Sequence, residues 1–414
     1  MSKGSTRGFI QYVTVALVAA GFVLALLFSQ YTKTETVWVG GEDMIINVLP
    51  LANGTASSTS PTALIPNPFA PPPPRKPVIL LPVKPTPLPP APKPVTPPPP
   101  PPPAVLPPPS QGAALFNCDA AKSTTSFYVD PTMQAIRVER ELRAAGNTAD
   151  ADLLQEIACR AQGTWVIGDN LDTIRSRVSS TVSRASAAGK TPIIVLYNIP
   201  DHATLRYWSG VTAGEQYERW IAVVAESIGS HDALVVLEPD SIGLIGNLSS
   251  ADQSVRLADL KKGVMILKER APHARVYLDA GHSNWRKASD IANFLKAAGI
   301  DSADGFALNV SNYQYVSDEI DFGTAVSAQV GGKHFVIDTS RNGSGPHKTE
   351  WCNTPGVTIG KAPTTQTGSA LTDAFLWIKP PGESDGPCNG GVPTGKFWLE
   401  RALEMIRNSP YRFQ

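Results

Sequence analysis

The chain has 414 residues, and Lys plus Arg equal Asp plus Glu at 36 each, so the formal net charge is zero. This balance excludes the strongly basic proteins that bind nucleic acid or anionic membrane surfaces through bulk charge, and we expect no nucleic-acid partner. The 39 prolines are concentrated before residue 110, which leaves roughly 300 residues for one large folded domain.

The N-terminus has the pattern of an export signal. Lys3 and Arg7 precede an apolar run from Phe9 to Phe28, which is about long enough to cross a bilayer. No clear small-x-small cleavage site follows at Ser29, so residues 1–30 favour an uncleaved signal anchor, with a cleaved signal peptide as the alternative. In both cases the positive flank stays in the cytosol, and the rest is exported as a membrane-anchored or secreted protein.

A linker is predicted between this signal and the folded domain. Residues 30 to about 60 are small and polar without clear periodicity, and residues 61–109 are rich in proline. Such a composition is typical of an extended polyproline spacer without a packed core. We therefore assign residues 31–111 to a disordered Pro-rich linker and residues 112–414 to the folded domain.

The folded domain contains the four cysteines of the chain: Cys118, Cys159, Cys352 and Cys388. An even number in an exported chain indicates two disulfides, and no C-x-x-C spacing favours a metal site. Pairing each cysteine with its nearest neighbour gives Cys118–Cys159 and Cys352–Cys388, although the sequence permits three pairings. We expect neither a metal nor a cofactor, and we expect a monomer.

Strands and helices alternate through this domain. Seven short apolar segments are predicted strands: Phe127–Val129, Ile193–Tyr197, Leu234–Leu237, Val276–Leu278, Phe306–Val310, Phe335–Ile337 and Phe375–Ile378. Six segments have helical patterns: Pro131–Ala145, Leu171–Ala188, Gly214–Ile228, Ala251–Ala271, Lys287–Ala298 and Lys396–Ile406. The alternation predicts an α/β fold with a seven-stranded parallel sheet, closed or nearly closed into a TIM-like β/α barrel. A doubly wound open sheet is the alternative.

Acidic residues follow several of the predicted strands. Glu238 and Asp240 come directly after Leu234–Leu237, and Asp279 and Asp338 end two later strands. In a β/α barrel this edge carries the catalytic groups. Burial would keep Asp240 protonated near neutral pH, so that it could donate a proton to a glycosidic oxygen. The alternative is that Glu238 and Asp240 cap the following helix.

Other polar and aromatic residues lie on the same predicted edge. His282 and Trp285 follow Asp279 after a sharp Ala-Gly turn and could line a cleft, although His282 could instead fix its loop and Trp285 could be core. The amides of Asn309 and Asn312 suit sugar hydroxyls, and Arg341 could pair with Asp338. The final group is Lys379, Glu383 and Asp385, in which the lysine would hold one acid ionised.

Seven motifs in order resemble those of the family 6 glycoside hydrolases, the inverting cellulases. They are Tyr197-Asn-Ile-Pro200, Leu237-Glu-Pro-Asp-Ser241, Tyr277-Leu-Asp-Ala-Gly-His282, Asn309-Val-Ser-Asn-Tyr313, Asp338-Thr-Ser-Arg341, Trp351-Cys-Asn353 and Trp377-Ile-Lys-Pro-Pro-Gly-Glu-Ser-Asp-Gly386. The resemblance runs from about Phe127 to the C-terminus. It implies a distorted, partly open barrel that hydrolyses internal β-1,4-glucosidic bonds of cellulose or a related β-glucan with inversion.

The resemblance also implies roles for individual residues. Asp240 corresponds to the general acid, and Asp385 to a base or to the support of a water chain. The residues expected to contact substrate or line its cleft are Tyr197, Asp279, His282, Trp285, Asn309, Asn312, Arg341, Trp351, Lys379 and Glu383. Ser209 corresponds to a serine of the proton relay, and Cys352–Cys388 to a family disulfide.

The sequence departs from the family in two places. His202-Ala203-Thr204 replaces the usual Arg-Asp-Cys, so the aspartate that tunes the acid is missing. This loss supports a second hypothesis, a catalytically weakened or inactive glycan-binding protein on the same barrel. A Mg²⁺-dependent lyase is a third hypothesis, which no ligand spacing supports. The loop from Asp385 to Gly395 is short, which predicts an open cleft and internal cleavage.

Overall fold

The computed structural model describes residues 33–39, 42–48, 118, 126–200, 213–346 and 351–412. The chain divides into two units, residues 1–102 and residues 103–414. The first unit contains an antiparallel hairpin of β1 (Lys33–Val39) and β2 (Glu42–Val48), with Lys33 opposite Val48. The hairpin differs from the predicted absence of regular structure in this region. The Gly40-Gly41 pair between the two strands was the available sequence signal.

The structure does not test the Pro-rich part of the predicted linker or the export signal. The Pro-rich run of residues 61–109 and the apolar run Phe9–Phe28 lie outside the described residues. Within the part of the chain that the structure describes, no helix is long and apolar enough to cross a bilayer.

Seven parallel strands form the sheet of the second unit and lie side by side in chain order. They are β3 (Thr164–Val166), β4 (Ile193–Leu196), β5 (Ala233–Leu237), β6 (Ala274–Asp279), β7 (Gly305–Leu308), β8 (His334–Asp338) and β9 (Thr372–Leu376). Because β3 and β9 are the two edges of the sheet, the barrel is distorted and partly open, which confirms the predicted fold class. The doubly wound alternative is wrong, since such sheets reverse their strand order.

Eight helices in the described part of this unit connect or flank the strands. They are α1 (Gln134–Ala144), α2 (Thr148–Ala158), α3 (Leu171–Ala187), α4 (Ala213–Ile228), α5 (Ser250–Arg270), α6 (Ala288–Ala297), α7 (Val316–Ser327) and α8 (Leu399–Arg407). The sequence patterns missed α2 and α7. Side chains alternate across each strand: in β5, Leu234 and Val236 fill the barrel interior, while Val235 and Leu237 pack in the larger core with the outer helices.

One predicted strand was wrong. Phe127–Val129 contributes only an isolated bridge from Phe127 to Thr191, and Thr164–Val166 forms the first strand of the sheet instead. The three residues of β3 are too few to show a strand period, so the sequence did not reveal them. Phe127 is nonetheless buried and packs into the barrel interior.

Gly163 joins the two edges of the open barrel. Its N–H donates to the Trp377 carbonyl at 2.8 Å, and Trp165 Nε1 donates to the Ile378 carbonyl at 2.9 Å. A Cβ at Gly163 would lie 2.2 Å from the Ile378 oxygen, which forces the two edges apart. Only glycine therefore permits this close approach.

We expect Gly163→Ala to destabilise the domain by about 1–3 kcal/mol, because the added methyl group overpacks the junction. Gly263→Ala, inside helix α5, is the matched control: its Cβ would lie 3.4 Å from its nearest neighbour, the Tyr217 hydroxyl oxygen on helix α4, so the change should stabilise by up to about 1 kcal/mol. Urea unfolding of both variants measures the difference. Equal midpoints would contradict this account of the junction.

Candidate active site

The strand end that carries Asp240 has an unusual backbone. Glu238 and Asp240 have φ angles of 54° and 68°, in the left-handed region that costs most side chains energy. Pro239 separates them, and the Asp240 N–H donates to Asp279 Oδ1 at 3.1 Å. Such strain persists only where surrounding contacts impose it. The turn therefore places the Asp240 carboxyl at the mouth of the barrel.

The surroundings of Asp240 favour its protonated form. Burial raises the pKa of the Asp240 carboxyl, and the negative charge of Asp385 raises it further, while the Lys379 ammonium lowers it. Asp279 is 2% exposed, and burial together with the charge of Asp240 raises its pKa well above the ordinary value. Asp279 thus supports the Asp240 backbone from below, which corrects its prediction as a residue that reaches the substrate.

Asp385 has the opposite environment. Its Oδ2 accepts hydrogen bonds from Arg341 Nη1 at 2.7 Å and from the Asn353 N–H at 3.0 Å, and its Oδ1 lies 3.3 Å from Lys379 Nζ. Burial alone would raise the pKa of Asp385, but Arg341, Lys379 and the Asn353 hydrogen bond outweigh burial and lower it. Asp385 is therefore fixed in its ionised form.

Asp338 organises the backbone beneath this pair. Its two oxygens accept from the N–H groups of Ser311 (3.0 Å), Ser340 (2.9 Å), Ile378 (3.3 Å) and Lys379 (3.0 Å). These donors belong to the segments that follow β7, β8 and β9. The predicted Asp338–Arg341 ion pair was wrong, because Arg341 pairs with Asp385 and Asp338 is occupied by backbone.

Tyr197 follows β4 on the same edge. It is 38% exposed, and its ring meets Trp165 edge to face with centroids 5.5 Å apart. Burial, followed by the charges of Asp240 and Glu238, raises the pKa of the phenol. The Lys379 ammonium lies over the Trp165 ring at 5.9 Å. Ring contacts and charge interactions consequently link Tyr197, Trp165, Lys379 and Asp240 into one group.

Glu383 interacts with both Lys379 and helix α1. Its Oε1 accepts from Gln134 Nε2 at 2.7 Å, and burial raises its pKa while Lys379 lowers it. Burial, followed by the positive charge of Arg341, lowers the pKa of Lys379. The negative charges of Asp385 and Glu383 raise it. The three predicted residues Lys379, Glu383 and Asp385 therefore do form one charged group.

His282 and Trp285 share the loop after β6. Their ring centroids are 5.3 Å apart, and the Trp285 N–H donates to the His282 carbonyl at 3.0 Å. Trp285 is half-buried and packs tightly over Gly243, where a Cβ would lie 2.5 Å from the indole. Burial lowers the pKa of His282 to about 4, so it is neutral at neutral pH. Both residues face a region shared with the Asp240 loop.

The other predicted contact residues differ in how far their side chains are exposed. Asn309 is fully buried, and its amide donates to the Asp338 carbonyl at 2.9 Å and accepts from Gln314 N at 3.1 Å, so it supports the loop and cannot meet a substrate. Arg341 is 4% exposed beneath Asp385. Asn312 is half-buried, and its amide donates to the Val310 carbonyl at 3.1 Å. Trp351 is 71% exposed.

The predicted relay residue is not tested. Ser209, like His202, Ala203 and Thr204, falls in residues 201–212, outside the described residues. The prediction of its role stands as made.

Asn353 is a residue whose role the sequence analysis missed. With a φ of 47°, it exchanges hydrogen bonds with Asp385: its N–H donates to Asp385 Oδ2, and its Oδ1 accepts from the Asp385 N–H at 2.8 Å. Its Nδ2 donates to the Gly386 carbonyl at 2.7 Å. Its position after Cys352 in a motif of the resemblance was the available signal.

Both predicted disulfides are confirmed. Cys118–Cys159 spans Cα atoms 5.5 Å apart, and Cys352–Cys388 spans Cα atoms 6.2 Å apart. The second lies directly beside the Asn353–Asp385 pair, since Asn353 Nδ2 also donates to the Cys388 carbonyl at 3.1 Å. It therefore holds together the two segments that fix Asp385.

The chain was compared with curated proteins. Endoglucanase A of Cellulomonas fimi is 43% identical over 288 residues, which are 69% of this chain and 62% of that protein. Endoglucanase A of Thermobispora bispora is 39% identical over 293 residues, 68% of this chain and 62% of that protein. Endoglucanase 1 of Streptomyces sp. (strain KSM-9) is 40% identical over 284 residues, 66% of this chain and 78% of that protein. The chain thus spans 62% of the length of the first two relatives.

Solved structures share the fold. The endoglucanase Cel6 from Mycobacterium tuberculosis, in complex with methyl-cellobiosyl-4-deoxy-4-thio-β-D-cellobioside, superposes with a TM-score of 0.63 at 36% identity, over 70% of this chain and 98% of that one. Residues 122–409 match the sequence family described as glycosyl hydrolases family 6. The match covers more than half of the chain, and together with the relatives above it shows that the chain belongs to glycosyl hydrolase family 6.

Proposed function

We propose that this protein hydrolyses internal β-1,4-glucosidic bonds in cellulose or a related β-glucan with inversion of configuration. One observation carries the proposal: the charge of Asp385 acts on the Asp240 carboxyl, and the surroundings of the two groups shift their pKa values in opposite directions. A pair of carboxyl groups held in opposite protonation states is the arrangement that glycoside hydrolysis requires.

Asp240 is proposed as the general acid. Its raised pKa keeps a proton available for the glycosidic oxygen, so that the departing sugar leaves as an alcohol. Among the described residues, the shift arises from burial and from the charge of Asp385. This supports catalysis over the inactive alternative, because the acid is tuned without the aspartate that Ala203 replaces.

Asp385 is proposed to stabilise the positive charge that develops on the sugar ring and to orient the attacking water, directly or through a water chain. Its lowered pKa makes it a weak base but a permanent negative charge. Inverting enzymes place the two carboxyl groups roughly 6.5–9.5 Å apart, which leaves space for that water on the far face of the sugar. The ion pair with Arg341 keeps Asp385 at one fixed position.

The remaining cleft residues are proposed to bind the glucan. Trp285 and Trp351 offer aromatic faces to sugar rings, and Lys379 and Glu383 offer charged hydrogen-bonding groups to hydroxyls. Tyr197 is proposed to contact the sugar at the cleaved bond, since its phenol neighbours Asp240. The endoglucanase Cel6 from Mycobacterium tuberculosis, which is bound to a thio-linked cellobioside, supports a β-glucan substrate.

Internal cleavage is proposed because the loop after Asp385 is short and folds back on its own base. Within the described residues, the Ser384 N–H donates to the Lys396 carbonyl at 2.9 Å, and the Gly395 N–H donates to the Ser384 carbonyl at 2.9 Å. Gln134 Nε2 also holds the Gly395 carbonyl at 2.8 Å. A loop fastened in this way leaves the cleft open to the middle of a polysaccharide chain.

We further propose that the enzyme is an exported monomer. The charged start and the apolar run Phe9–Phe28 support export, either with a membrane anchor or by secretion after cleavage. Fractionation of cells that express the full chain, followed by sedimentation analysis, separates these outcomes.

Release of reducing ends from carboxymethylcellulose, with a matching fall in viscosity, tests the main proposal. Wild type should be active and Asp240→Ala inactive. Binding of cello-oligosaccharides without any turnover would favour the glycan-binding alternative. Activity that a chelator abolishes would favour a metal-dependent lyase.

The pH profile of kcat/KM is expected to be bell-shaped. Activity falls as pH rises through the raised pKa of Asp240, because the acid loses its proton, and falls as pH drops through the lowered pKa of Asp385. The Lys379 charge lowers both pKa values, so Lys379→Met should move both limbs to higher pH. A profile that changes only in height would contradict this assignment.

Removal of Cys352–Cys388 is expected to reduce both stability and activity. The two disulfides close segments of similar length, with sequence separations of 41 and 36 residues, so each double Ser variant should lose about 4 kcal/mol of stability. At temperatures where both double variants are folded, the variant that lacks Cys352–Cys388 should also have a lower kcat, because this disulfide holds Asp385. The variant that lacks Cys118–Cys159 should keep its kcat. Equal activity of the two double variants would contradict that role.

A further inference from the structure

The proposed mechanism gives no role to one fully buried acid at the carboxyl ends of the strands. Glu238 has no exposed surface, although it lies two residues before Asp240. Its Oε2 accepts hydrogen bonds from the N–H groups of Asn198 at 2.9 Å and Ile199 at 3.0 Å, and its Oε1 accepts from Asn198 N at 3.1 Å. The sequence alternative of a helix cap was wrong, since both partners belong to the segment after β4.

The segment that Glu238 holds is Tyr197–Pro200, which begins with the exposed tyrosine of the cleft. Three other contacts fasten it: Arg256 Nη2 donates to the Pro200 carbonyl at 3.0 Å, Asn198 Oδ1 accepts from the Gly168 N–H at 3.1 Å, and the Tyr197 N–H donates to the Val166 carbonyl at 3.1 Å. The first of these partners lies on helix α5 and the second follows β3. Glu238 is the contact that links the segment to the strand end of Asp240.

We propose that Glu238 is a positioning residue, which holds the Tyr197 phenol in register with the Asp240 carboxyl by binding the backbone of the Tyr197–Pro200 segment. The inference rests on the proposed function, because it assigns Tyr197 to the cleaved bond. Charge-assisted hydrogen bonds from backbone N–H groups are stronger than neutral ones. They help to hold the left-handed conformations of Glu238 and Asp240, which persist only where surrounding contacts impose them.

The chemistry of the carboxylate suits this role. A carboxylate offers acceptor sites on both oxygens, whereas the amide of glutamine has one acceptor oxygen and an NH₂ group that would face other donors. Burial raises the pKa of Glu238 to about 7, and the hydrogen bonds from Ile199 and Asn198 act against burial. Tyr217 and Arg256 are the other titratable groups that influence this carboxyl. Glu238→Gln should therefore release the segment without removing any group from the cleft.

Hydrogen exchange measures the release directly and does not depend on catalysis. In Glu238→Gln, the amides of Asn198 and Ile199 should exchange at least about ten-fold faster than in the wild type. Glu319→Gln is the matched control: Glu319 is also fully buried and accepts from a loop N–H, that of Ser283 at 2.9 Å, but in a different loop. It should leave exchange at Asn198 and Ile199 unchanged.

A double-mutant cycle measures whether Glu238 acts through Tyr197. Glu238→Gln should lower kcat about ten-fold with a smaller change in KM, because misplacing a contact at the cleaved bond costs mainly transition-state stabilisation. In a Tyr197→Phe background the same change should cost less than about two-fold. Glu319→Gln should instead have the same effect in both backgrounds.

The outcomes separate this inference from the proposed function. An inactive wild type refutes the proposed function, and the exchange rates at Asn198 and Ile199 still decide the role of Glu238. If the wild type is active, either of two results overturns the inference alone. One is that the kcat losses of Glu238→Gln and Tyr197→Phe multiply fully in the double variant; the other is that exchange at Asn198 and Ile199 is unchanged in Glu238→Gln. If Glu238→Gln does not fold, Glu238→Asp keeps the charge but shortens the reach by one methylene, and it should increase exchange at the same two amides.

Discussion

Asp240→Asn is expected to lower kcat on cellulose-type substrates by about 10²–10⁴-fold. The amide has nearly the same shape as the protonated acid but cannot transfer a proton to the glycosidic oxygen. KM should change little, because the hydrogen-bonding geometry is retained. Steady-state rates on a soluble cello-oligosaccharide give both values.

The substrate can be chosen to isolate the acid step. A cellobioside with a nitrophenyl leaving group that departs without protonation should lose far less activity in Asp240→Asn than an oligosaccharide does. Asp301→Asn, at an exposed turn before β7, is the matched control and should retain full activity on both. Equal losses on the two substrates in Asp240→Asn would contradict the role of Asp240 as general acid.

Arg341→Leu is expected to destabilise the domain by about 3–5 kcal/mol, because it leaves the buried Asp385 carboxylate without its main partner. The same change should raise the pKa of Asp385, since Arg341 is the first of the charges that lower it. The acidic limb of the pH profile should then move to higher pH. Urea unfolding and a kcat/KM profile measure the two effects.

The control for Arg341 is an exposed ion pair. Arg137 and Glu141 form a bridge of 2.8 Å on helix α1, with side chains about 60% exposed, so Arg137→Leu should cost much less and leave the pH profile unchanged. Comparable stability losses in the two variants would contradict the view that Arg341 compensates a buried charge. An unmoved acidic limb in Arg341→Leu would remove the ionised Asp385 from the mechanism.

The sequence predicted most of the architecture because most of its strands are apolar runs, several of which end in charged residues. Leu234–Leu237 is buried on both faces, and its acids appear where the strand leaves the core. The three-residue strand β3 and the helix α7 lack such patterns, and tertiary packing defines them. Phe127 fills the barrel interior as a strand residue would, although it does not belong to the sheet. Its apolar character therefore suggested a strand where none forms.

The site was less predictable because its electrostatics depend on distant residues. Arg341 and Asn353 precede Asp385 by 44 and 32 residues, so their hydrogen bonds to it leave no local pattern. The sequence therefore placed Arg341 and Asn309 at the substrate, whereas both lie beneath the surface and hold rim loops in place. The residue types in the sequence identified the polar edge of the sheet. The burial of each side chain, which only the structure shows, determines which of those residues can face the cleft.

The stereochemistry of the product tests the central claim most directly. Proton NMR of the first products from a cello-oligosaccharide, recorded before mutarotation, identifies the anomer released at the cleaved bond. Because Asp240 and Asp385 are assigned as acid and water-supporting charge of an inverting enzyme, the α-anomer should appear first. First appearance of the β-anomer, or no hydrolysis at all, would contradict the account.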